Sequence, residues 1–397
     1  MAIIVQKYGG SSVQSMDGIK QIAEKIIARK NKGHKMVIVV SALGDNTQSL
    51  VDDAHSITAT PDNHELEIIK AAGEMVSSSL LAIVLKSLGH DCVSYTAMQL
   101  NSNSSVSRGM ASFPGLDEKI INRALNQNKV VILSGFQGID KLSDTASIGK
   151  DAADITAIVI SARLNGICEI YTDAEGIYTI DPKLYKRPKK LDVISYEEIL
   201  ELISLGADII NSRAIELAEK YNVPVYVAHS GKDEKGTYIK EVEFVDNKPI
   251  TGIAISDSDA IITLEGVPFV SNTLADTFES IAEQKISVDM ISQTTPIEGK
   301  VYISFTIPKK DIDACKTILN NILPGIKINI DEEITKFSVV GMGMKSASGV
   351  ASRLFKLLSI NNIQIKMVTT SEIRITCAIE HKDKLKAVQI VAREFGL

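Results

Sequence analysis

Two rhythms of apolar and polar positions run along this chain, and they change over near residue 245. The first residues, Ile3-Ile-Val5, form a short apolar strand that ends in Lys7-Tyr8-Gly9-Gly10-Ser11-Ser12. Ile19, Ile22, Ala23, Ile26 and Ile27 follow at the i, i+3, i+4, i+7, i+8 spacing of a helix with one buried face. Met36–Val40 is a continuous apolar run, as a strand covered on both faces requires. It ends in Ser41-Ala-Leu-Gly44 and, a little further on, Thr47. The pattern then predicts a helix from about Glu65 to Leu88 and strands at Cys92–Tyr95 and Val130–Leu133. A helix opened near Asp154 carries Ile155, Ile158, Val159 and Ala162, and Glu169–Asp173 is another strand end. Helices near Tyr196–Ser204 and Asn211–Tyr221 and a strand at Pro224–Val227 complete this half. Strands alternating with helices indicate a parallel α/β sheet, whose ligands gather at the carboxyl ends of the strands.

Beyond residue 245 the units shorten and repeat at an offset of 77, pairing Phe278 with Phe355, Ile286 with Ile363, Met290 with Met367 and Ile291 with Val368. Each copy reads strand, helix, strand, strand, helix, which suits a small α+β unit with helices on one face of an antiparallel sheet. The charged, turn-rich stretch 233–246 reads as a connector. The expected domains are therefore 1–230, a linker over 231–246, and a repeated pair over 247–397. The first copy spans about 258–330; the second spans about 331–397 and includes the strand near 250–255.

Length and composition narrow the classes. The 397 residues suffice for two or three domains with sizeable cores. A formal charge of −6 argues against nucleic acid as the main partner. No run of about 18 apolar residues is evident, so no membrane span is expected, and the strand at the start leaves no room for a secretory signal. Cys92, Cys168, Cys315 and Cys377 lack metal or disulfide spacing and read as buried thiols in a reducing cytoplasm.

At the first strand tip, glycines let a ligand approach the backbone without a Cβ in the way. The amides at the start of the following helix favour an anion, and Lys7 adds a full charge. A phosphate cradle and an ordinary β-to-α turn both fit this stretch, which is not a G-x-x-x-x-G-K-[ST] loop.

The ordered set of motifs is more specific than any one of them. Lys7-Tyr-Gly-Gly-Ser-Ser-Val13 resembles the Lys-Phe-Gly-Gly-Thr-Ser-Val opening of aspartokinases. Val39–Gly44, Gly73-Glu74, Gly135–Gly138, Glu169–Asp173, Gly176–Lys183 and Ser204–Ala207 are similar to later motifs of that family in the same order. The repeated units resemble paired ACT domains, through Val288–Gln293 and Thr370–Ile373. The resemblance implies an α/β, three-layer amino-acid kinase domain with a mainly parallel sheet, followed by two α+β (ferredoxin-like) ACT domains. It implies a cytoplasmic enzyme phosphorylating the L-aspartate β-carboxylate with ATP and Mg²⁺, under feedback by lysine or threonine, in a homodimer or larger homo-oligomer.

The same resemblance assigns roles. Lys7 and Asp154 would be catalytic, with N-capping as the other role open to Asp154. Ser41, Thr47, Glu74 and Lys150 would hold the amino acid. Lys7, Tyr8, Gly9, Gly10, Ser11, Tyr171, Thr172, Asp173, Tyr178, Asp181 and Lys183 would surround the nucleotide, and Asp289, Gln293, Thr370, Ser371 and Glu372 an effector. Such a site suits the chemistry. A carboxylate of pKa about 3.9 is already ionised at neutral pH, so catalysis rests on positioning and on positive charge.

Several positions depart from the family pattern. Gly149-Lys150-Asp151-Ala152-Ala153-Asp154 stands for Gly-Arg-Gly-Gly-Ser-Asp, and lysine lacks the two-pronged grip of arginine. Ala71-Ala72 replaces Ser-Thr, and Asp208 and Asn211 replace Lys and His. Opposite charges about 4 Å apart are worth roughly 4 kcal/mol at an effective dielectric of 20, so the reversal at Asp208 bears on rate. The Pro-Gly turn before each regulatory helix becomes Ser271-Asn272 and Ser348-Gly349. These departures keep two other readings open: a kinase of another small amino-acid carboxylate, and a weakly active amino-acid-sensing paralogue.

Overall fold

The computed structural model describes residues 2–44, 46–96, 98–100, 105–107, 110–112, 116–135, 137–139, 145–147, 152–207, 209–242 and 248–397. It divides into two compact units. One comprises Met1–Ile177, Lys190–Leu200 and Asp208–Glu243; the other comprises Tyr178–Lys189, Glu201–Ala207 and Phe244–Leu397.

The strands of the first unit are β1 (Ile3–Tyr8), β2 (Lys35–Val40), β3 (Cys92–Tyr95), β4 (Ser105–Ser107), β5 (Met110–Ser112), β6 (Val130–Ser134), β7 (Gln137–Ile139), β8 (Thr145–Ser147), β9 (Ile167–Thr172), β10 (Val193–Ile194), β11 (Val225–His229) and β12 (Thr237–Ile239). Its helices are α1 (Met16–Asn31), α2 (Asn46–Ile57), α3 (Asn63–Ser87), α4 (Glu118–Asn126), α5 (Ala152–Arg163) and α7 (Ser212–Lys220), with α6 (Tyr196–Ser204) running across the division of the chain. β4 with β5 and β7 with β8 form short hairpins; the other eight strands make one sheet in the order β10-β12-β11-β9-β1-β2-β6-β3. The pairs from β11 to β3 are all parallel, as expected, whereas β12 runs antiparallel to β11. α1 and α3 cover one face of the sheet with Ile19, Ile22, Ile26, Leu81 and Leu85, against Ile4, Met36, Ile38 and Ile132. α5 lies along β1, β2 and β9 and against α7, closing the third layer.

Two expectations about boundaries are corrected. The connector expected over 231–246 contains a strand of the main sheet, because Thr237 and Ile239 bury fully against β11 while Tyr238 points outward. The segment Tyr178–Lys189, expected in the domain ending at 230, belongs to the second unit. Ile180 lies in the core of the second repeat, and Ile253 N–H donates to the Thr179 carbonyl at 2.8 Å. The expectation about apolar runs is also modified. α3 is long and apolar enough to cross a membrane by composition, yet half of its apolar window is buried within the protein, as in a core helix.

The second unit holds two four-stranded antiparallel sheets. The first copy has β14 (Asp259–Pro268), α8 (Thr273–Glu283), β15 (Asp289–Gln293), β16 (Lys300–Pro308), α9 (Ile312–Ile322) and β17 (Lys327–Asp331), in the order β15-β16-β14-β17. The second has β18 (Ile334–Val340), α10 (Val350–Ile360), β19 (Ile365–Thr370), β20 (Arg374–Glu380) and α11 (Lys384–Phe395). Its fourth strand is β13 (Gly252–Ser256), from before the first copy, giving the equivalent order β19-β20-β18-β13. α8 and α10 start at repeat-equivalent residues although neither keeps a Pro-Gly turn. Ile261, Met290, Ile334, Met367 and Ala378 pack the two copies together.

Candidate active site

Lys7 is the last residue but one of β1, and its side chain leaves the sheet on the α5 side. There its ammonium meets Asp154 Oδ1 at 2.6 Å, with the two side chains only 11% and 8% exposed. Asp154 sits in the first turn of α5. The helix dipole favours a carboxylate there, but the partner is a lysine from another element, so the pair is tertiary rather than a cap. Gly9 and Gly10 follow immediately. A Cβ at Gly9 would come within 3.3 Å of Lys7 Nζ, while one at Gly10 would meet nothing within 4 Å among the described residues.

One local expectation is corrected here. The residues after the glycines form a 3-10 turn, Gly10–Val13, and α1 starts only at Met16, capped by Ser15 Oγ accepting from Gly18 N–H at 3.2 Å. The amides facing the open space therefore belong to the short turn, not to α1. Ser12, which the sequence reading passed over in favour of exposed Ser11, is buried there, and its hydroxyl has no partner among the described residues.

On the other side of β1, Ser41 follows β2 and donates its N–H to the Tyr8 carbonyl at 3.1 Å. The chain then brings Thr47 on α2 against α3. A Cβ at Gly73 would collide with Thr47 Oγ1 and lie 3.3 Å from Ala42 Cβ, so only glycine lets α2 and the segment after β2 dock this closely. Glu74 is the next residue on α3 and is buried. Ser41, Thr47 and Glu74 are thus gathered at adjoining elements. Among the described residues the Thr47 hydroxyl has no hydrogen-bond partner, nor does that of Ser134 at the tip of β6. Lys150 and Asp208 lie outside the described residues. Ala153 is buried, and Asn211 caps α7, its side chain accepting from Ala214 N–H at 3.2 Å.

The nucleotide-side residues divide. At the tip of β9, Thr172 Oγ1 donates to Asp173 at 2.9 Å, and the Thr172 carbonyl accepts from Ser230 N–H at 2.8 Å. Tyr8 and Tyr171 are fully or nearly buried and stack on each other at 4.9 Å, so they have only backbone to offer a ligand. Burial, then Tyr171 and Glu169, pushes the Tyr8 phenol up. Tyr178, Asp181 and Lys183 belong to the second unit, where Asp181 accepts from Lys183 N–H at 2.8 Å in a local turn.

The effector candidates also lie in the second unit. Asp289 opens β15, and Gln293 and Thr370 end the repeat-equivalent strands β15 and β19. Ser371 donates its N–H to the Arg374 carbonyl at 2.8 Å in the turn that exposes Glu372. Lys336 already holds Asp289 at 2.9 Å and Asp259 at 3.3 Å. Although burial opposes it, the hydrogen bond and charge of Lys336 keep the Asp289 carboxyl below the usual range.

Comparison with known proteins identifies the family. The amino acid kinase family profile matches residues 2–229, and an ACT domain profile matches 337–395. Aspartokinase 2 of Bacillus subtilis is 38% identical over 402 residues, covering 100% of this chain and 98% of the relative. The aspartate kinase of Clostridium acetobutylicum superposes with a TM-score of 0.82 at 23% identity, over 99% of this chain and 100% of that one. E. coli aspartokinase III, 20% identical, superposes with TM-scores of 0.75 in its complex with aspartate and ADP and 0.80 in that with lysine and aspartate. These cover 98% and 99% of this chain, and 99% of the other in each case.

Proposed function

Because the chain belongs to the aspartokinase family, we infer that it transfers the γ-phosphoryl group of ATP to the β-carboxylate of L-aspartate, giving 4-phospho-L-aspartate. The observation that carries this reading is the Lys7–Asp154 pair at 2.6 Å beside the open backbone of Gly9 and Gly10. The acceptor carboxylate needs no base at neutral pH, since its pKa is about 3.9. The barrier is the approach of one anion to another, and the remedy is fixed positive charge and donors aimed at the transferring group. Lys7 supplies the charge, and Asp154 fixes its direction. The turn at Gly9–Ser12 supplies amides and the free Ser12 hydroxyl. Glu74 pairs with the ammonium of aspartate, and Ser41 and Thr47 hold its polar atoms. Thr172 and Asp173 take the nucleotide's ribose and base.

Among the described residues no group of three or more candidate ligands could hold a metal. Mg²⁺ is usually held by phosphate oxygens and water with one or two carboxylates and, when bound, would neutralise charge on the β- and γ-phosphates. The ACT pair supports feedback by lysine or threonine through the second unit, with Asp289 shared between an effector ammonium and Lys336. The exposed side chains of Phe269, Val270, Ile291, Ile297 and Tyr302, all on the first ACT copy, support a homo-oligomer formed through this unit. The cytoplasm is the compartment this chemistry and the free thiols suit. The intact Lys7–Asp154 pair favours a working kinase over a sensor that has lost catalysis.

A hydroxamate trap for the acyl phosphate, run with ATP, Mg²⁺ and a panel of amino acids, tests the reading. Trapped product with aspartate alone supports it. Product with a different amino acid, or none with any, overturns it.

A further inference from the structure

On the face of β1 and β9 opposite Lys7 lies a buried polar cluster that phosphoryl transfer does not use. Glu169, 3% exposed, accepts from Gln6 Nε2 at 2.8 Å, from the Tyr171 hydroxyl at 3.0 Å and from Arg29 Nη2 of α1 at 2.6 Å. The Tyr8 hydroxyl donates to Gln6 Oε1 at 3.2 Å, and the Tyr8 ring lies on Tyr171 with the planes 7° apart. One turn earlier on α1, Lys25 places its ammonium 5.5 Å from the Tyr171 ring centre and donates to the Ser230 carbonyl just beyond β11.

We propose that Arg29 and Glu169 are positioning residues for the nucleotide, which hold the tips of β1 and β9 at one fixed register and so set the phosphate turn against Thr172 and Asp173. The proposal rests on the kinase reading above. Three observations carry it. Tyr8 and Tyr171 are directly opposed in the β1–β9 pairing, and each is the last side chain before a ligand-facing segment. Gly9 N–H, inside the phosphate turn, points to the Tyr171 carbonyl at 3.4 Å. The cluster also replaces what apolar side chains would do as well for stability, since a buried ion pair seldom out-stabilises packed hydrocarbon of the same volume. What apolar residues would not do is select a register. Central parallel strands are apolar on both faces, so a slip by two residues leaves such a pattern nearly intact. A carboxylate with three donors is satisfied in one alignment only.

The test uses the full chain in four forms: wild type, Arg29→Met, Arg29→Lys, and Arg29→Met combined with Glu169→Leu. ADP affinity is measured by calorimetry, the KM values for ATP and aspartate by the hydroxamate assay, and stability by thermal melting. Arg29→Met is expected to weaken ADP binding about tenfold while moving the KM for aspartate less than about twofold. Arg29→Lys should recover part of the loss. The double variant removes the unpaired buried charge, though it leaves the Gln6 amide and Tyr171 hydroxyl without an acceptor, so it should melt above Arg29→Met and still bind ADP weakly. Wild-type ADP affinity in the double variant, or an equal rise in both KM values, would overturn the proposal. Absence of ADP binding and of trapped product in the wild type would instead bring down the kinase reading itself.

Discussion

Two lysines in this protein are held by aspartates at similar distances and are similarly buried, yet they stand in different settings. Lys7 meets Asp154 at 2.6 Å with the side chains 11% and 8% exposed. Lys336, 8% exposed, meets Asp259 at 3.3 Å and Asp289 at 2.9 Å. Burial and pairing alone would rank them together. They differ in what lies next to them. Lys7 stands at the end of a parallel strand beside a turn where a Cβ at Gly10 would meet nothing, so its charge can be shared with a ligand. Lys336 stands in the seam between two repeat copies, against the first copy's Asp259, its own repeat equivalent. Its charge is spent on the fold. A buried ion pair becomes a functional clue only with open space and unpartnered donors beside it.

The sharpest way to break this contrast is Lys7→Ala. Turnover should fall by about 10³-fold, while stability falls by only about 1 kcal/mol, because Asp154 keeps its favourable place in the first turn of α5. Steady-state kinetics and chemical denaturation read the two effects; near-normal turnover would remove Lys7 from the mechanism. Lys336→Met should give the opposite profile. It strands two carboxylates in the seam and should cost about 3 kcal/mol, with turnover close to wild type in the absence of effector. Adding Asp259→Asn and Asp289→Asn should restore most of that stability, and failure to do so would mean the loss came from packing.

Gly73→Ala probes the acceptor side more gently. The added methyl displaces Thr47, so the KM for aspartate should rise about tenfold with that for ATP unchanged; equal changes in both would place Thr47 elsewhere in the mechanism. The smallest effect is in pH. The Asp289 carboxyl is held below its ordinary value, so its contribution is complete above the unfolded value of about 4 and is lost as pH falls through the native one. The stability gap between wild type and Asp289→Asn should be below about 1 kcal/mol at neutral pH, given the partial exposure of the carboxylate. Denaturation curves from about pH 3 to 7 should show the gap closing on the acid side only.

Much of the first unit could be read from the letters. The strand–helix alternation, the parallel sheet and the tip residues Lys7, Ser41 and Asp173 follow from periodicity and from the rule that ligands collect at carboxyl ends of strands. The repeat at an offset of 77 was equally legible, since the two copies keep α8 and α10 at equivalent positions. The rings of Tyr8 and Tyr171 turn inward, and alternation already puts the Tyr8 side chain on the opposite face from Lys7.

Other features had no signal in the string. Nothing local says that Arg29 of α1 reaches Glu169 of β9, 140 residues away in sequence. Nor does any local pattern reveal that Tyr178–Lys189 packs with the second repeat rather than with the sheet it follows. Periodicity reports which face of an element is buried, and a motif reports which atoms stand at its end. The partner that does the burying, and the lysine that is left facing open space, are settled only when distant segments compete for the same apolar surface.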